Sequence, residues 1–227
     1  MTADTIYLAT IWIIPVIIAV TFHEAAHGLV AHLLGDDTAW RLGRVSFNPF
    51  KHIDPFGTIL LPGLLLLARS PFLFGYAKPV PVNFRALRWP RGGMVLVAAA
   101  GPATNIVLAI FAALGFHFIG YLPITVAQWF DANLKNALIL NVVLAVFNLF
   151  PLPPLDGGRI LVGILPRALA TPFARLEPYG LIILIGLLIV LPLLGAQSGV
   201  DLSIVSRFLA VSTGAIINTI LLVSGNT

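Results

Sequence analysis

The chain has no cysteine in 227 residues, and only 10% of its residues are charged. Without cysteine there is no disulfide framework, no thiolate nucleophile and no thiolate ligand, so any metal is expected to be held by imidazole and carboxylate. The scarcity of charge excludes a soluble protein, in which about 25% of residues are charged. It leaves no room for a separate soluble domain of any size. A net charge of +4, scattered through the loops, is no nucleic-acid footprint and is better suited to setting topology. The N-terminus lacks a basic segment and a small-residue cleavage site around its first apolar run, so no cleaved signal peptide is expected.

What abounds is apolar sequence: 59% of residues are hydrophobic and the mean hydropathy is +0.99. A spanning helix needs about 20 apolar residues. Runs that qualify are 6–34, 94–119, 137–150 with an extension to 155, 181–194, and Ile204–Val223. The run 59–68 is short and contains Pro62-Gly63, and reads as re-entrant or interfacial. Basic residues cluster in 35–93 (Arg41, Arg44, Lys51, Arg69, Lys78, Arg85, Arg88, Arg91) and in 157–177 (Arg159, Arg167, Arg175). The 120–136 stretch carries only Lys135, offset by Asp131, and 195–203 carries none. With basic loops inside, five spans alternate cleanly, the N-terminus faces out and the C-terminus faces the cytoplasm of a cell membrane. The expected fold is an all-α polytopic membrane protein of about five transmembrane helices. It forms one membrane-embedded domain over 1–227, with a core at about 6–161 and C-terminal helices at 178–223.

One ionic-polar knot interrupts the first run: His23-Glu24-Ala25-Ala26-His27. Residues four apart share a helix face, so His23 and His27 can aim both imidazoles at one point, with Glu24 beside them. This is the H-E-x-x-H arrangement of zinc hydrolases, two ligands and a general base. A charged group deep in a membrane costs roughly 2–3 kcal/mol or more, which argues for use rather than for a polar packing knot. His23 lies about 17 residues into its helix, roughly 25 Å at 1.5 Å per residue, in the cytoplasmic half. The polar end of the run around Asn148 to Asp156 arrives at a similar depth.

Two imidazoles leave catalytic zinc one protein ligand short. His32 points away from the pair and His117 sits at the wrong depth, while His52, Asp36, Asp37 and Asp54 stay open. Asp156 in "NLFPLPPLDGGRIL" is the better candidate, with N-capping of a helix starting at Gly157 as its rival role. Pro151, Pro153 and Pro154 end the preceding helix, and Gly157 and Gly158 permit close backbone approach. Asn148 reads either as a helix C-cap or as a donor to a substrate carbonyl. Asn105, mid-span in "AAAGPATN", reads as a substrate contact or as an interhelical hydrogen bond. Arg159 reads as snorkelling or topogenic. In "KPVPVN", Pro79 and Pro81 blunt one edge of an extended strand. The other edge could take a peptide by strand addition, with Pro79, Val80, Pro81, Val82 and Asn83 as the substrate-binding segment, which makes a small membrane-associated β element in 43–84 part of the expected fold. A rigid extended linker is the alternative.

The stretches "HEAAHG", "GRVSFNPFKHIDPFGT", "KPVPVNFRALRWPRGGMVLVAAAGPATN" and "NLFPLPPLDGGRIL" together resemble the site-2 protease family of intramembrane zinc metalloproteases, over roughly residues 21–161. The resemblance implies one Zn2+ per chain, held by His23, His27 and Asp156, with Glu24 as general base. It implies that Asn148 positions substrate and that a strand-forming loop receives it. The partners implied are a transmembrane protein or peptide substrate and the lipid bilayer, without nucleic acid; a homo-oligomer is compatible with the sequence. No PDZ or CBS-like domain is present, unlike in larger members. Rival classes are a catalytically silent scaffold or chaperone, which would need a broken motif, and a metal or proton transporter, which would need ionisable groups along several spans.

Overall fold

The computed structural model describes residues 3–60, 64, 67 and 77–226. Its long helices follow the apolar runs, because inside a bilayer a helix satisfies every backbone polar group within the segment. Helix α1 is Ala3–Leu33, followed by a single turn, α2, at Thr38–Arg41. A 3-10 turn at Pro49–Lys51 and a π-helical turn at Pro55–Leu60 come next. Helix α3 is Pro90–Gly115 and starts on a proline, which costs no hydrogen bond at a first position. Helix α4 is Ile124–Asn148, and the prolines at 151, 153 and 154 prevent its continuation. Short helices α5 (Asp156–Ile164) and α6 (Arg167–Ala174) lead to a nearly continuous helix made of α7 (Gly180–Ile185), a π turn and α8 (Leu191–Ser198). Helix α9 is Ile204–Val223.

Five helical stretches are long and apolar enough to cross a membrane: Ile6–Leu33, Pro90–Tyr121, Ile124–Asn148, Arg167–Ser198 and Ile204–Val223. Helix α3 sits centrally, packed on α1, α4 and α5. Small residues make that possible: Ala109, Ala112 and Ala113 of α3 let Leu138, Val142 and Val146 of α4, and Ile220 of α9, approach closely.

Helices α1 and α4 run parallel, tied at their starts by Trp129 Nε1 donating to Thr10 Oγ1 (3.0 Å) and Asn136 Nδ2 donating to the Ile11 carbonyl (2.8 Å). Helix α9 runs the other way. Phe208 near its start meets Phe150 just past the end of α4, and Asn226 beyond its end donates to the Ala113 carbonyl at the far end of α3 (2.8 Å). The C-terminus therefore lies on the same side as the N-terminus, opposite the 34–89 connection, and not on the side that alternation of five spans demands. It follows that Arg167–Ser198 leaves from and returns to the side on which α4 ends. Hydropathy detects an apolar helix of spanning length but not where its second end comes to rest, and that is why alternation misplaced the C-terminus. Arg207, paired with Asp201 at the start of α9, then joins the other basic residues on the side of the 34–89 connection.

The expected β element is not formed: among the described residues there is no strand, and 77–83 has no regular secondary structure. The 120–136 stretch is helical from Ile124, and Lys135 and Asp131 pair one turn apart within α4 (2.6 Å). Most of the 59–68 run lies outside the described residues.

Candidate functional site

His23 and His27 project from consecutive turns of α1, as their spacing requires, with their Nε2 atoms 3.0 Å apart. Asp156 faces them, its Oδ2 lying 3.3 Å from each Nε2. All three side chains are buried, and their ligand atoms lie within 4.8 Å of one another. Asp156 reaches this point because the chain folds back sharply after α4. A Cβ on Gly157 would lie 2.1 Å from the Leu149 carbonyl oxygen, and one on Gly158 2.1 Å from the Pro153 nitrogen. Both positions require glycine. Helix α5 starts at Asp156 itself, Leu155 occupies the cap position, and no side chain caps this end. The capping role is thereby excluded, and the carboxylate is turned to the imidazoles.

The second nitrogen of each ring is committed. His27 Nδ1 lies 2.7 Å from the Val97 carbonyl, which can only accept, so the proton sits on Nδ1. His23 Nδ1 lies 2.6 Å from Asn105 Oδ1. Both Nε2 lone pairs thus converge on the same small space as a carboxylate oxygen, an arrangement of acceptors that a divalent cation satisfies. Two imidazoles and one carboxylate, buried beside a cavity, form the donor set of catalytic zinc.

That cavity, of 430 Å³, is lined by His23, Glu24, His27 and Asp156 on one wall. Pro79, Val80 and Val82, then Asn148 and Leu184, line others. Glu24 Oε2 accepts a hydrogen bond from the Val80 backbone N–H (2.8 Å). Gly28, at the end of the same motif, leaves room for the Val45 and Val80 side chains against α1.

Comparison with known proteins agrees with this chemistry. The model of Peptidase family M50 matches residues 121–191. The protein YwhC of Bacillus subtilis (strain 168), provisionally named a zinc metalloprotease, is 41% identical over 185 residues, covering 78% of this chain and 79% of YwhC. The chain belongs to peptidase family M50, the site-2 proteases. Rip2 of Mycobacterium tuberculosis (strain ATCC 25618 / H37Rv), also provisionally named a zinc metalloprotease, is 28% identical over 199 residues, 86% of this chain and 74% of Rip2. A zinc metalloprotease of Methanocaldococcus jannaschii is 33% identical over a shorter stretch of 84 residues, 34% of this chain and 22% of its own. No solved structure matches. This M50 protein is an integral membrane zinc metalloprotease, and zinc is its metal.

The other third-ligand candidates are occupied elsewhere in the M50 chain. His32 pairs with Asp37 (2.7 Å) and stacks on Trp40. His52 donates through Nε2 to the Ser46 carbonyl, and His117 through Nε2 to the Ser224 carbonyl. Asp36 accepts from Thr38 and from the Asn83 backbone N–H, and Asp54 from the N–H groups of Phe56 and Gly57. Asn148, half-buried on the cavity wall, donates to the Leu144 carbonyl of its own helix (3.0 Å). Arg159 lines the cavity too, pairs with Glu177 (3.2 Å) and lies over the Phe84 ring.

Three of the expected substrate contacts lie off the cavity wall. Asn105 is fully buried behind His23 and bonds it, so its interhelical role replaces a substrate contact. In 79–83, the cavity is lined by Pro79, Val80 and Val82, while Pro81 and Asn83 do not line it. The edge read as open is partly taken by the chain itself, Lys78 N–H donating to the His52 carbonyl and Val80 N–H to Glu24. Sequence reasoning passed over Asn141, which bonds Asn105, although a polar residue in the middle of a span was a visible signal.

Proposed function

We propose that this protein hydrolyses peptide bonds in or near the transmembrane segments of other membrane proteins. The observation that carries the reading is the convergence of His23, His27 and Asp156 on one buried point that opens on an otherwise largely apolar cavity. In this reading His23 Nε2, His27 Nε2 and an Asp156 carboxylate oxygen hold zinc, and the whole chain acts as one protease domain. When bound, zinc supplies Lewis-acid chemistry, polarising a peptide carbonyl and making water a nucleophile near neutral pH.

The remaining steps belong to side chains of this chain. Glu24, one residue from His23 and on the cavity wall, takes the proton of the attacking water. It then gives that proton to the departing amine nitrogen as the C–N bond breaks, so that one carboxyl and one amine are left. Val80 N–H holds the Glu24 carboxylate in place by a hydrogen bond. Asn148 offers its amide to a substrate carbonyl once it gives up the Leu144 carbonyl. Pro79, Val80 and Val82 on the cavity wall receive substrate side chains, and a helical substrate must unwind locally to expose the bond that is cut. The basic residues on the side of the 34–89 connection favour the cytoplasmic face of a cell membrane for that side, and with it a short path for water.

Glu24→Gln keeps the shape of the side chain and removes the base. The purified variant is expected to retain zinc, by elemental analysis, while cleavage of a transmembrane reporter in proteoliposomes disappears. Cleavage at the wild-type rate would remove Glu24 from the mechanism.

A further inference from the structure

Val97, Gly101 and Asn105 lie four residues apart on α3, on the face turned to α1, and each meets the histidine pair differently. The Val97 carbonyl accepts from His27 Nδ1 at 2.7 Å, and Asn105 Oδ1 accepts from His23 Nδ1 at 2.6 Å. The orientation of the Asn105 amide is settled by its other contacts. Its Nδ2 lies 3.2 Å from the Ala19 carbonyl, which can only accept, and 2.8 Å from Asn141 Oδ1. Reversing the amide would set Asn105 Oδ1 against the Ala19 carbonyl, so Oδ1 must face His23 and the His23 proton must sit on Nδ1. Asn141 is oriented in turn by donating to the Ala137 carbonyl (2.8 Å). A chain of polar groups thus runs from α4 through α3 to His23, in the apolar middle of three packed helices.

Gly101 sits between the two anchor points. A Cβ built there would lie 2.4 Å from His27 Nε2 and 2.6 Å from His23 Nε2. Zinc binds imidazole nitrogen at about 2.0–2.1 Å. The missing side chain therefore leaves the room that both imidazole rings occupy against α3.

We propose that this face of α3 is the back half of the metal site: Val97 and Asn105 set both imidazoles as Nδ1–H tautomers, and Gly101 gives the two rings the room to bring their Nε2 atoms together. The proposal rests on the assignment of His23, His27 and Asp156 as metal ligands. Asn105 is a positioning residue in this role, acting through His23. Outer hydrogen-bond partners of metal-binding histidines raise ligand basicity and typically account for about 10–100-fold in metal affinity.

The test is a zinc titration of the full-length protein in detergent, stripped with a chelator, against a competing chromophoric chelator. The melting temperature of the metal-free form and the visible spectrum of the cobalt-loaded form are followed in parallel. Asn105→Leu is expected to weaken zinc binding by about 10–100-fold and to alter the cobalt bands. Asn105→Asp keeps an acceptor for His23 Nδ1–H but loses the donor to the Ala19 carbonyl and Asn141, and it is expected to bind zinc more tightly than Asn105→Leu while melting lower than wild type. Gly101→Ala, which deletes no hydrogen bond, is expected to abolish stoichiometric zinc binding while the metal-free protein stays folded, and it decides the matter if Asn105→Leu does not fold. Wild type and His27→Ala separate the two levels. Equal zinc in both would remove the ligand assignment itself. Zinc in wild type only, with wild-type affinity in Gly101→Ala and in any folded Asn105→Leu, would overturn the role of α3 and leave the ligand assignment standing.

Discussion

In the proposed mechanism Asp156 and Val80 act on the reaction centre through single atoms, and each can be tested by removing that atom's contribution. Asp156 is free of capping duty, so Asp156→Asn changes the charge facing the imidazoles and leaves α5 without a lost cap bond. Zinc content after dialysis is expected to fall well below one per chain, with the helical circular dichroism signal unchanged. Unaltered stoichiometry would return Asp156 to a structural role. Val80→Pro deletes the N–H that holds Glu24. A hydrogen bond to a charged group contributes about 1.5–3 kcal/mol, so kcat/KM is expected to fall roughly 10–100-fold. Zinc content is expected to stay unchanged, because the deleted N–H bonds Glu24, the proposed base, and none of the three proposed ligands.

At the scale of elements, the histidine pair and its helix were legible from spacing alone, since a period of 3.6 residues fixes which side chains share a face. Asp156 was legible only as a candidate. Its arrival depends on the backfold of 149–158, where two glycines meet backbone atoms at 2.1 Å. Gly158→Ala forces a methyl group against backbone that cannot yield, and overpacking of this kind costs about 1–3 kcal/mol. Lower melting temperature together with loss of zinc is expected. A variant that melts lower yet keeps its zinc would show that the backfold and the ligand are not coupled. Gly180, whose Cβ would lie 1.8 Å from the Pro153 carbonyl oxygen, seats the start of α7 on the same turn. The 77–83 segment shows the opposite case. Its alternating prolines suggested a strand, but a strand also needs a partner, and here a side chain and a single loop carbonyl take N–H groups instead.

For the whole molecule, the direction of α9 decides on which side the chain ends. The absence of cysteine makes a clean measurement possible, because any introduced thiol is the only one. Single cysteines at Ser46, Ser203 and Ser224 can be labelled in intact and inverted membranes with an impermeant maleimide. Ser46→Cys and Ser203→Cys are expected to label from the same side and Ser224→Cys from the other. Labelling of Ser203→Cys from the side opposite Ser46→Cys would restore five alternating spans and reverse α9.

The sequence by itself determined the apolar helices, the shared face of His23 and His27, and the exclusion of sulfur chemistry. These depend on composition and on contacts within a few residues. Only the tertiary structure decided that Asp156 meets the histidines and that Asn105 stands behind His23 instead of before the substrate. It alone showed that Gly101 leaves space at the two Nε2 atoms and that Arg167–Ser198 returns to its own side. Each of these depends on how helices far apart in the chain are rotated and shifted against one another. Hydropathy carries no record of that packing, because every face of these helices is built largely from the same apolar residues.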